Sequence, residues 1–180
     1  MPILKEGNSR ALTAGEKLLA MKIFGDAIHY QSVKIHNGSY LPFNMQSQDV
    51  AMTPNGEIYF REPHYMDDFS TSESRYIHWF IHEMVHVLQH QLGMNVRTRG
   101  AFSWAVNYKY TLPPDKILSE YGMEQQASII ADYFYLTHFG KDNFQEIMSF
   151  EGIVGPDLLD KYRNSLSVFL ANPGDKKAFL

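Results

Sequence analysis

The chain carries one short run whose residue types and spacing can do chemistry: His82-Glu83-Met84-Val85-His86. On an α-helix, positions four apart stand one above the other, so both imidazoles can reach a single metal ion. Glu83 directly follows the first histidine, where a carboxylate can act on a water held by that metal. The pattern points to a zinc site with Glu83 as its base. The histidine stripe is longer than the motif, since His78, His82, His86 and His90 recur at spacing four. Only the central pair has Glu after its first histidine. His78 and His90 read as satisfied or surface histidines, or as groups that hydrogen-bond beside the site.

A catalytic zinc takes three protein ligands and keeps one position open. There is no cysteine, which excludes disulfides and thiolate sites and leaves His, Asp or Glu as the third ligand. Downstream candidates are Asp115, Glu120, Glu124, Asp132 and His138. Packing favours Glu124, because Ala127, Ser128 and Ala131 share its helical face and small residues there let two helices approach closely. The bland reading of Glu124 is a solvated first-turn acid favoured by the helix dipole. An oxyanion would need a second stabiliser, and Tyr108, Tyr110, Tyr121 and His138 stay unranked for that role.

These groups need elements to hold them. Residues 70–93 read as one long helix, opened by a Ser70/Glu73 capping box and stopped at Gly93. Thr13 with Glu16 caps an earlier helix that ends at Gly25. Residues 28–36 read as a strand leading into an Asn37-Gly38 turn. Residues 49–61 read as a hairpin around Asn55-Gly56 with a type I′ turn. Its strand Glu57–Phe60 is either scaffold or an exposed edge at the cleft rim to which an extended peptide adds. Phe102, Trp104, Val106, Tyr108 and Tyr110 alternate as a strand does. A short helix over 115–121, a third main helix from Met123 to a stop at Gly140, a short helix over 143–150 and an amphipathic helix over 158–172 follow. With no repeat or linker, residues 1–180 read as one α+β domain. It has a long central helix, several packing helices and a small antiparallel sheet or hairpin.

Bulk properties bound the partners. At 180 residues, 44% hydrophobic and 20% charged, the chain is of ordinary globular composition. Its net charge of -4 and lack of a basic run argue against nucleic acid and anionic membranes. No stretch approaches the roughly 18 apolar residues of a spanning helix, so no membrane insertion is expected. The N-terminal residues lack the apolar core of a signal peptide, so synthesis in the cytoplasm without one is expected.

HEMVHVLQHQLG with the downstream MEQQASIIADYF resembles the glutamate-zincin pattern, in which HExxH is completed by a Glu on a later helix. More narrowly, TPNGEIYF (53–60), HEMVHVLQ (82–89), EQQA (124–127) and ADYF (131–134) resemble metallopeptidase toxin domains fused to valine-glycine-repeat spike proteins of type VI secretion systems, and their free-standing relatives. The stretches span residues 53–134, less than half the chain. The resemblance implies a zincin-like fold, Zn²⁺ held by His82, His86 and Glu124, and Glu83 as the catalytic base. It also implies a protein or peptide substrate, a separate spike carrier, an immunity protein and delivery to the periplasm of a target cell. Two other readings share these residues: a non-catalytic binding module with a structural zinc, and a zinc amidase acting on cell wall. Glu83 argues against the first, because a structural site has no use for a carboxylate beside its metal.

Overall fold

The computed structural model describes residues 4–96, 107–142 and 144–180. Thr13 forms the expected capping box: its hydroxyl accepts from the Glu16 N–H, and Glu16 Oε2 accepts from the Thr13 N–H. Helix α1 (Ala14–Phe24) grows from it and stops at Gly25, whose φ of +52° glycine adopts readily. Glu16 is fully buried and also accepts from the Arg10 guanidinium and from the Phe69 N–H at 2.9 Å. One carboxylate thus ties the first strand, the first helix and the approach to the central helix.

Strand β1 (Ser9–Ala11) pairs antiparallel with β2 (Lys34–Asn37), and β2 pairs parallel with β3 (Ile58–Phe60). The sheet is therefore mixed, which corrects the expectation of an antiparallel one. The reason is non-local: residues 38–57 cross over and bring Ile58 beside Ile35, both fully buried. The 28–36 strand is shorter than expected, because Tyr30–Ser32 form a 3-10 turn. The hairpin is also looser. Met52 and Tyr59 exchange both backbone hydrogen bonds, at 3.2 and 2.9 Å, across an open loop. Gly56 has φ +79° but Asn55 is not left-handed, so the type I′ turn, which needs both, is absent. Tyr59 is bonded on this side, so β3 offers no free edge there.

Helix α2 (Ser74–Gln91) starts later than the expected Ser70. Asp68 accepts from both the Ser70 N–H and its hydroxyl, which folds Phe69–Thr71 into a 3-10 turn and leaves Glu73 to flank the helix without a side-chain cap. Its 18 residues span about 27 Å. Its C-terminal carbonyls are closed by the N–H groups of Gly93 (φ +86°) and Met94. Helix α3 (Met123–Phe139) packs along α2 and ends at Gly140, as expected. Ala127, Ser128 and Ala131 are buried, as close approach requires.

The expected helix over 115–121 is a 3-10 turn at Leu118–Glu120. Helix α4 is Phe144–Ile147. The expected helix over 158–172 is broken at Leu166 into α5 (Leu158–Ser165) and α6 (Ser167–Ala171). Of the predicted alternating strand, residues 102–106 lie outside the described residues, and Tyr110 bridges Phe150. Among the described residues, six helices and a three-stranded sheet make an α+β fold. Phe60, Phe69, Phe80, Ile81, Met84 and Val85 lie fully buried around α2. Each such side chain removed from water contributes about 1.5–3 kcal/mol, so the core anchors the helix that carries the motif. None of the described helices is long and apolar enough to cross a membrane.

Candidate metal centre

The expected ligands converge. Nε2 of His82 and Nε2 of His86 stand 3.3 and 2.9 Å from the same carboxylate oxygen, Glu124 Oε2. One ligand atom from each of the three lies within 4.8 Å of the others. Tetrahedral ligands at about 2.0–2.2 Å from a zinc ion lie about 3.3–3.6 Å from one another. The two histidine-to-carboxylate distances, 3.3 and 2.9 Å, thus lie close to those of ligands around one ion. Two imidazoles and one carboxylate are a donor set that suits zinc.

The trio follows from how α2 and α3 run past one another. His86 and His82 meet Glu124; one turn back along α2, His78 meets Asp132, two turns further along α3, at 2.6 Å. Asp132 is fully buried and also accepts from the Tyr110 hydroxyl at 2.6 Å and the Ser149 N–H at 2.9 Å. It serves His78 rather than the trio. The other third-ligand candidates stand apart as well: Glu120 accepts from the Ile117 N–H, and His138 stacks on Phe134. Asp115 is not in the trio. His78 is a satisfied histidine, and His90 is an exposed one whose ring lies against Gly56.

Glu83 is buried beside the trio, and its Oε2 accepts a 2.6 Å hydrogen bond from the Thr53 hydroxyl. Thr53 comes from the loop between Met52 and Tyr59, so the open hairpin is what delivers this donor. His86 uses its other nitrogen, Nδ1, on Gln89 Oε1 at 2.7 Å. Sequence reasoning misses Thr53 and Gln89 in these roles. Gln89 could have been noticed as a polar residue three positions past His86 on the same helix face; Thr53 leaves no local signal.

A cleft of about 290 Å³ opens over the centre. It is lined by Asp49–Pro54, His78, Trp79 and Tyr108 together with His82, Glu83, His86 and Glu124. Of the four oxyanion-stabiliser candidates, only Tyr108 lines it, with its ring 6.0 Å from that of His82. Tyr110 is committed to Asp132 and Tyr162, and the Tyr121 hydroxyl donates to the Thr111 carbonyl.

Charge couples the trio. Burial by itself pushes the His86 imidazole down, but the Glu124 carboxylate, helped by Glu83 and Gln89, outweighs it and holds His86 at about 9. Burial raises Glu124, yet His86 and His82 hold it well below the usual carboxylate range. Near neutral pH His86 is thus protonated and Glu124 ionised, an ion pair 2.9 Å apart. Burial raises the Tyr108 phenol above its ordinary value, as do the nearby Glu124 and Glu83 carboxylates, so it stays a neutral donor.

No family model matches the chain. It is 43% identical over 132 residues to the type VI secretion system spike protein VgrG2b of Pseudomonas aeruginosa. That match covers 69% of this chain but only 13% of the spike protein's length. The solved structure of the effector domain of Pseudomonas aeruginosa VgrG2b superposes with a TM-score of 0.64 at 35% identity, covering 84% of this chain and 89% of that domain. The likeness thus falls on the effector part of the relative and spans nearly all of it, and the chain belongs to the family of the VgrG2b effector domain.

Proposed function

We propose that the chain is a zinc metallopeptidase that acts as a type VI secretion effector. The observation that carries the enzymatic part is the convergence of His82, His86 and Glu124 in one cleft with Glu83 buried beside them. The effector part rests on the relationship to the VgrG2b effector domain. A spike carrier and an immunity protein are the partners this reading brings with it, and the periplasm of a target cell its place of action.

A zinc ion held by the trio supplies Lewis acidity, which acidifies a water and polarises a carbonyl. The residues of the chain do the rest. Thr53 holds Glu83 by Oε2, and Glu83 takes the proton of the attacking water and delivers it to the leaving amine. Tyr108, a neutral phenol in the cleft wall, can donate to the oxygen on which negative charge develops.

Zinc content and chelator-sensitive cleavage of casein and of peptidoglycan test the reading. The expected result is about one zinc per chain, in line with one ligand trio, with cleavage of casein that a chelator abolishes and zinc restores. Cleavage of peptidoglycan alone would replace the peptidase with an amidase. Bound zinc without hydrolysis of either would leave a binding module.

A further inference from the structure

Side-chain amides rarely declare which end is oxygen, because either end can find a partner. Two buried glutamines beside the metal centre do declare it. Gln126 places one amide end near three backbone carbonyls, those of Leu118, Tyr121 and Phe179, at 3.3, 3.1 and 3.0 Å. Carbonyls only accept, so that end must be the NH₂. Gln126 Oε1 is then an acceptor and receives Gln89 Nε2 at 2.9 Å. Gln89 Nε2 also donates to the Met123 carbonyl at 3.2 Å, a second and separate constraint on the same amide. Gln89 therefore presents oxygen to His86 Nδ1 at 2.7 Å, and Nδ1 must carry a hydrogen. That leaves Nε2, the nitrogen facing Glu124, as the atom free to bind a metal. Both glutamines are buried, with exposures of 0% and 2%, so water cannot take over the missing half of any bond.

The geometry points to Gln89 and Gln126 as positioning residues that set the tautomer of His86, with the Phe179 carbonyl as their remote anchor. A buried polar pair could instead serve stability alone, but its direction is fixed at one end by three carbonyls and read at the other by a metal ligand. The relay also accounts for Gln126 in the EQQA stretch, which neither binds the ion nor faces the cleft. The inference rests on the proposed zinc site but not on peptidase activity. A chain that binds zinc and cleaves nothing would sink the proposed function and leave the relay standing.

The test is zinc affinity of the full chain by chelator competition, with circular dichroism to check folding. Imidazole N–H signals are recorded by ¹⁵N–¹H NMR on the zinc-loaded protein. Gln89→Leu should weaken zinc about 10- to 100-fold, the usual range for removing a ligand's outer partner, and the hydrogen-bonded Nδ1–H resonance of His86 should vanish. Gln89→Glu keeps an acceptor for Nδ1–H but turns its second oxygen towards the Gln126 oxygen and the Met123 carbonyl, so a folded variant should retain the resonance. Gln126→Leu, which removes the oxygen that receives Gln89 Nε2, should weaken zinc without touching any ligand. Folded Gln89→Leu and Gln126→Leu proteins with wild-type affinity and an unchanged Nδ1–H resonance would overturn the relay. So would loss of the Nδ1–H resonance in a folded Gln89→Glu protein, because that variant still offers His86 an accepting oxygen.

Discussion

Zinc uptake should depend steeply on pH, because the metal-free centre holds a proton that the ion must displace. Glu124 Oε2 lies 2.9 Å from His86 Nε2, and His86 is held at about 9. At pH 7, two units below that value, about 99 of 100 molecules carry the proton. Zinc binds only the deprotonated nitrogen, so apparent affinity should rise about tenfold per pH unit from 7 to near 9 and then level off. That is about 1.4 kcal/mol per unit. A histidine at its ordinary value of about 6.5 would instead give an affinity almost flat above pH 7.5. The assay is titration of metal-free protein with chelator-buffered zinc at pH 7, 8 and 9. Calorimetry in two buffers of different ionisation enthalpy should count about one proton released per ion at pH 7.5. Glu124→Gln removes the charge that lifts His86, so this variant should bind more weakly and with a flatter pH dependence. A wild-type affinity that does not change between pH 7 and 9 would refute the reasoning.

The same proton predicts how the metal-free fold responds to pH. His86 is raised from 6.5 to about 9 on folding, so its contribution is complete below pH 6.5 and lost as pH rises through 9. Chelated protein should lose denaturant resistance over that window, whereas zinc-loaded protein should gain it. Thr53→Val deletes the hydroxyl that holds Glu83 while keeping the side chain's shape. A hydrogen bond to a charged group is worth about 1.5–3 kcal/mol, so kcat should fall about tenfold or more with zinc content unchanged. Asp132→Ala removes the acceptor shared by His78, the Ser149 N–H and the buried Tyr110 hydroxyl, which keeps only its bond to Tyr162. Urea unfolding should show a loss of about 1–3 kcal/mol, the cost of depriving a buried donor of its acceptor, and the zinc ligands should remain.

Features decided within one or two helical turns were legible from the residues alone. The Thr13/Glu16 capping box, the placement of His82, Glu83 and His86 on one helix, and the Gly25 and Gly140 stops belong to this kind. Glu124 was legible at one remove, through the small residues that let its helix come close. Features decided by distant partners were not. Ser70 has the chemistry of a helix cap, but Asp68 captures it and Glu16 captures the neighbouring Phe69 N–H, so the helix begins at Ser74. Asn55-Gly56 has the chemistry of a tight hairpin, yet the loop stays open, with Gly56 against the His90 ring and Thr53 reaching Glu83. Asp132 had the residue type of a third ligand, and only its position along the α2–α3 seam assigns it to His78.

The central claim is that Glu83 does the proton chemistry at a zinc site made by other residues. Replacing Glu83 with Gln keeps the size of the side chain and an oxygen for the Thr53 hydroxyl, and removes the base. Measured together on wild type and Glu83→Gln, zinc stoichiometry and casein turnover test it most directly. The account predicts equal zinc and loss of turnover in the variant. Retained turnover, or loss of zinc along with activity, would contradict it.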